Sequence, residues 1–277
     1  MKRKKVNKDY GVSDLPHNRK EQFFDIAKHR FFLLLGLGLL LLLFSLPLLA
    51  SLIYRDVLLM GLEASEAASE TKEATSFSVN LLFSGLFVVS LLVLSIGLGG
   101  ISKILKELIY DEPIFFKDDF FKGIKENFRQ YLILAIFAGI FWFFANLIYL
   151  IANNLILKVV FVGINVALIF PPVFVGFFLS TVYSNKFFKS LQGGLTIYFK
   201  AFPSVFLSFF AVYAVSFLQY IPLLLVKYLL LAVMFVVYMP FALLASFSNQ
   251  TRLFDDLINK DQFPEYYHKG LSDYYER

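Results

Sequence analysis

The chain has no cysteine. Disulfides, thiolate metal sites and cysteine nucleophiles are therefore excluded. Histidine is nearly as scarce, with only His17, His29 and His268 scattered along the sequence. No His/Glu cluster with metal-ligand spacing is present, and no GxSxG, HExxH or phosphate-loop motif occurs. Charge is sparse too, at 17% of residues against about 25% in an average soluble protein. The sequence therefore reads as no enzyme, with no catalytic residue, cofactor or metal.

Apolar residues fill the space these absences leave. They make up 58% of the chain, including 35 phenylalanines, and mean hydropathy is +0.68. A single soluble core could not hide so much apolar surface, so lipid is the expected solvent. Six segments reach the roughly 20 residues a bilayer crossing needs. They are Phe31 to Ile53, about Phe77 to Ile101, Tyr131 to Ile151, roughly Leu155 to Tyr183, and two within the tract Ala201 to Phe247. That last tract, as one helix, would be about 70 Å long. It must turn, and Gln219 to Lys227, which holds Pro222, is the place. The expected class is an all-α polytopic membrane bundle with residues 1–30 as a basic lead, 31–249 as the membrane domain and 250–277 as a tail.

Lysine and arginine give the orientation. Of the 26, 22 fall before the first span, between spans two and three, between four and five, or after the sixth. Such a bias places both termini in the cytosol. The net charge of +5 thus reflects topology rather than a nucleic-acid partner. The first apolar run is of full span length behind a cationic lead of about 30 residues, the pattern of a signal anchor. Residues 54–76 form the one sizeable outer connector, with five acids and two bases. It is Ser/Ala/Glu-rich with a helical flavour, and reads as a solvated polar connector or a docking site for an outside partner. Lys158 and Lys227 sit near outer span ends, where long stems can snorkel. The tail after Pro264 is polar and Tyr-rich and reads as a loosely ordered surface segment.

The stretch DEPIFFKDDFFKGIKENFRQ, residues 111–130, interrupts the apolar pattern. A helix capped by Asp118 would gather Phe120, Phe121, Ile124, Phe128 and Tyr131 on one arc, with Lys122, Lys125, Glu126 and Arg129 opposite. That is the pattern of an elbow helix lying in the membrane interface, bending near Gln130 into the third span. Docking of a cytosolic partner there is compatible with it. An echo comes 71 residues later: FKGIKENFRQY, from Phe121, aligns with QGGLTIYFKAF, from Gln192. Gly123 meets Gly194, Ile124 meets Leu195, Phe128 meets Phe199 and Arg129 meets Lys200. The unit of span, elbow and span reads as a parallel repeat, although amphipathic composition alone would give a similar echo. The FPPVFVG run at Phe170 breaks the fourth span, either as a kink or as a site with exposed carbonyls. The small residues Ser95 to Gly100 favour close helix contact.

Across Gly97 to Phe137 the sequence resembles the YesL-like family of bacterial membrane proteins. The residues carrying the resemblance are the small span end, the acidic-Pro step at Asp111 to Pro113, and Asp119, Phe120, Asn127, Phe128, Arg129 and Gln130. FSLP, Phe44 to Pro47, resembles the end of that family's first span. The chain departs from the pattern in its acidic outer connector and additional apolar run. The resemblance implies a protein of the bacterial cytoplasmic membrane, associated with carbohydrate uptake systems. Two functions are therefore expected: an accessory component of a transport or envelope system, or a permease subunit energised by a separate ATPase. For the second, Gly193 to Pro203 distantly resembles the Gly-to-Pro spacing of importer coupling loops, without their Glu-Ala-Ala lead.

Overall fold

A computed structural model describes residues 15–66 and 68–275. The basic residues 2–8 of the N-terminal lead, and Arg277 at the other end, lie outside the described residues. Every element among the described residues is helical: α1 (Arg19–His29), α2 (Phe31–Ala64), α3 (Ser69–Ile109), α4 (Phe116–Ile151), α5 (Leu155–Ile164), α6 (Phe170–Tyr183), α7 (Phe187–Lys200), α8 (Phe202–Tyr213) and α9 (Leu224–Phe254). Six helices or helix pairs are long and apolar enough to cross a membrane: α2, α3, α4, α5 with α6, α8 with its 3₁₀ extension Ala214–Tyr220, and α9. The fold is an all-α polytopic bundle.

The expected outer loop is mostly helix. α2 runs on to Ala64 and α3 starts at Ser69, leaving only residues 65–68 between them. At 1.5 Å per residue α3 is about 60 Å long, twice a bilayer's hydrocarbon thickness. Leu, Met, Ala, Glu and Lys dominate both helix ends and are strong helix formers. A polar composition that reads as loop thus extends two helices beyond the apolar zone. By contrast, the turn between the last two spans falls where expected. Ile221 is extended and α9 begins at Leu224, two residues after Pro222.

Tail-like hydrocarbon gives apolar helices no reason to associate, so close backbone approach must hold a membrane bundle together. Glycines supply it. A Cβ on Gly38 would fall on the Val236 carbonyl of α9, four residues before Pro240. Proline there cannot donate to that carbonyl, and α2 closes against the kink. On the α3–α4 seam, a Cβ on Gly123 would stand 3.0 Å from Gly100 Cα and from the Gly99 carbonyl. Around these contacts lies an apolar core from α2, α3, α6 and α9 that includes Leu34, Leu37, Ile104 and Leu105. Phe178 and Phe247 stack within it at 4.3 Å.

The fourth span bends at its prolines. Between α5 and α6 the chain makes a π turn, Asn165–Ile169. Pro171 lacks the N–H that would bond the Ala167 carbonyl. The hydroxyl of Tyr198, fully buried on α7, donates to that carbonyl instead. The structure thus favours the kink, with the second elbow helix repairing the backbone.

Candidate functional site

The Ser272 N–H donates to the Pro16 carbonyl at 3.0 Å, so the two ends of the described chain meet on one face of the bundle, here termed the terminal face. Both elbows lie on this face. The first helix starts at Phe116, two residues before the expected cap, and Asp119 accepts from the Phe115 N–H at 2.5 Å. Phe120 is buried, 6.0 Å from the Phe44 ring. Asn127 is buried too, and its Nδ2 donates to the Gly99 carbonyl at 3.2 Å and to the Gly123 carbonyl at 3.0 Å. Ile124 and Gln130 are half-buried, while Phe128 and Arg129 are exposed.

The structure corrects the expected elbow in two respects. The buried stripe is Phe120, Gly123, Asn127 and Tyr131 rather than the all-apolar arc, because close packing on α3 selects the small and hydrogen-bonding residues. No bend occurs at Gln130. α4 is one helix from Phe116 to Ile151, since nothing in KENFRQYL breaks helical hydrogen bonding and the seam with α3 continues along both.

The second elbow is a separate helix, α7, closed at Ala201 where φ is −130° and ψ 39°. Gly194 is buried, and a Cβ there would collide with the Pro172 carbonyl and stand 3.3 Å from Gly176 N. Leu195, Phe199 and Lys200 are exposed. The aligned glycines therefore share a role: Gly123 seats on Gly100, 23 residues back, and Gly194 on Pro172, 22 residues back. Beyond each glycine the two copies diverge, since the first continues as unbroken helix and the second breaks at Ala201.

Between the elbows lies a polar knot that the sequence pattern does not reveal. The Arg19 guanidinium donates to Asp255 Oδ2 from Nη2 at 2.8 Å and from Nε at 3.2 Å, with both side chains about 4% exposed or less. It also donates to Gln22 Oε1 at 2.9 Å and to the Lys269 carbonyl at 2.9 Å. Asp255 Oδ1 accepts from Asn259 at 2.8 Å, and Asn259 Oδ1 accepts from the Tyr183 hydroxyl at 2.5 Å. Gln22 Nε2 reaches the carbonyls of Ile109, at 2.7 Å, and Gly270, at 3.0 Å. Gly270 has φ 84°, and a Cβ there would overlap the Ile109 carbonyl, so only glycine fits.

The tail is consequently not loose. Leu271 is buried and Tyr266 lies 5.6 Å from Tyr110. Lys269 pairs with Glu112 at 2.5 Å and lies 5.7 Å from the Tyr110 ring. Its partial burial disfavours the ammonium, but the Glu112 carboxylate outweighs that and raises its pKa. Residue 249 lies within α9, which continues to Phe254.

At the opposite end a second ion pair joins α2 to α9. Lys227 donates to Asp56 Oδ2, which also accepts from the Tyr228 hydroxyl at 2.8 Å. Arg55 approaches Asp56 Oδ1 at 3.2 Å and lies over Phe83 at 4.8 Å. Lys227 is therefore not a snorkelling cation; it is buried and paired. Nearby, a cavity of about 420 Å³ opens between α2, α3 and α4 beside Glu63, Lys72, Glu73 and Asn80. Among the described residues no three His, Cys, Asp or Glu side chains converge as metal ligands.

Sequence signals for the two pairs are faint. Asp56 is one of five acids in a stretch that reads as loop, and Asp255 one of several charges after the last span. Each partner lies more than 170 residues away.

The fold and its two ion-paired ends define a polytopic α-helical membrane protein held together by glycine seams and buried charge. Comparison with protein families, curated proteins and solved structures finds no match.

Proposed function

We propose that this protein is an accessory component of a bacterial transport or envelope system, YesL-like in type, in the cytoplasmic membrane with its terminal face in the cytosol. The observation that carries this reading is the α3–α4 hairpin. Its terminal-face end, α3 after Ile101 with α4 before Gln130, is a pair of helices locked together by Gly123 and Asn127. The tip presents Phe115 and Phe121, both mostly exposed, among Lys117, Lys122, Lys125 and Arg129. Rigid exposed aromatics ringed by charge suit a partner surface. The lysine and arginine distribution supports the orientation.

The test is purification from cross-linked native membranes with quantitative mass spectrometry. An assembly that already contains its own permease supports the accessory role. A one-to-one ATPase with no other permease supports the alternative, a permease subunit energised by that ATPase. Recovery of the chain alone refutes both. Orientation is checked separately: a reporter inserted after Glu70 is active only outside the cytosol, and a cytosolic signal there reverses the assignment.

A further inference from the structure

On the terminal face, α1 lies against α9 and leaves a groove of about 430 Å³. Its rim carries Lys20 and Arg252, both exposed, and its apolar wall is Phe23, Phe24 and Ala245. Among the described residues no acid lines it. Arg19 is present but neutralised by Asp255. Glu21, the acid next to Lys20, turns back to the helix start, accepting from the His17 N–H at 3.0 Å and Asn18 Nδ2 at 2.7 Å. Among the described residues neither Lys20 nor Arg252 forms an ion pair.

Arg252 is held in place before any ligand arrives. Its Nη2 donates to Asn249 Oδ1 at 3.1 Å and to Ser204 Oγ at 3.3 Å. Asn249 is in turn fixed by donating to Ser208 Oγ at 2.6 Å and Ser204 Oγ at 2.9 Å. A guanidinium has five N–H donors, so these two bonds leave others for an anion.

We infer that this groove binds the headgroup of an anionic phospholipid from the leaflet on the terminal side. The cation pair fits a phosphodiester, to which arginine donates through its planar fork and lysine as a point charge. A zwitterionic headgroup fits poorly, because its ammonium would meet two cations and, among the described residues, no lining carboxylate. A lipid rather than a soluble phosphate compound is favoured by position. The groove lies where the apolar run of α9 gives way to Ser248, Asn249 and Arg252. Below it the wall continues into the apolar zone through Phe24 and Phe31, both exposed, and Phe241, 5.8 Å from Phe31. An acyl chain can run along that wall while the phosphate stays at the rim. Basic pockets between spans are known lipid sites of this type.

The experiment uses the full chain in detergent, titrated with phosphatidylglycerol or phosphatidylcholine and read by native mass spectrometry. Phosphatidylglycerol binds with clear preference. Lys20→Gln with Arg252→Gln weakens it about thirtyfold, the loss of two cations near a charged lipid surface. Lys20→Gln alone, whose side chain holds no hydrogen bond among the described residues, gives about fivefold and keeps the measurement readable should the double variant misfold. Lys260→Gln, an exposed cation on the same face but outside the groove, changes nothing. Three results overturn the site: equal binding of both lipids, no effect of Lys20→Gln, or an equal effect of Lys260→Gln. Displacement of the lipid by millimolar glycerol phosphate would assign the groove to a soluble anion instead. Because detergent removes sidedness, the outcome is independent of the accessory or permease role.

Discussion

Replacing Arg19 by methionine should strongly destabilise the fold. The side chain supplies both hydrogen bonds to Asp255 Oδ2 and one to the Lys269 carbonyl. Its removal leaves a buried carboxylate whose remaining partners, Asn259 and the His268 N–H, are neutral. Breaking a buried pair by deleting one member costs about 3–5 kcal/mol, mostly from the stranded charge. At about 2–3 °C per kcal/mol for a chain of 277 residues, melting should fall by roughly 6–15 °C. The assay is helix loss by circular dichroism in a fixed detergent. Arg19→Met with Asp255→Leu removes the stranded charge along with its partner, so the pair should melt above the single variant. The reasoning is refuted if Arg19→Met melts with the parent protein, or if the double variant loses the sum of the two singles, since a coupled pair must be non-additive.

Gly123→Val should open the α3–α4 seam and cost about 1–3 kcal/mol, whereas Gly61→Ala, with nothing within 4 Å of its added Cβ, should be neutral or slightly stabilising; thermal melts of both decide this. Tyr198→Phe strands the Ala167 carbonyl and should cost about 1–3 kcal/mol, and its effect should shrink in a Pro171→Ala background, which restores an N–H near that carbonyl; equal effects in both backgrounds would reject the repair role. Glu21 is held below its ordinary pKa of 4.5, first by the His17 N–H and then by Asn18. A depressed carboxylate stabilises above its unfolded pKa and loses that contribution as pH falls through its folded value. The melting difference between the protein and Glu21→Gln should therefore be full at neutral pH and close below pH 4.5.

The spans are legible in the sequence because length and hydropathy are local properties, and the Pro222 turn because proline acts on its own backbone. The elbow is half legible. Amphipathic spacing marks residues 119–130 as helical, and the Gly123 to Gly194 echo points to the two seats. Their orientation depends on which side α3 approaches, and periodicity does not hold that information. Asn127 shows the difficulty: it lies among charged residues in sequence yet is buried, because the Gly99 carbonyl is within its reach. The outer connector misleads for a similar reason. Its Ser, Ala and Glu content suits both loop and helix, and the paired neighbour decides.

The knot at Arg19 also sets an order of events. Asp255 is translated 236 residues later, about 12–47 s at 5–20 residues per second. Until then α1 has a cation ready and no anion to meet. A helix made before every span is thus among the last to find its place, and a nascent chain stalled before the sixth span should show residues 19–29 open to protease while the finished protein protects them.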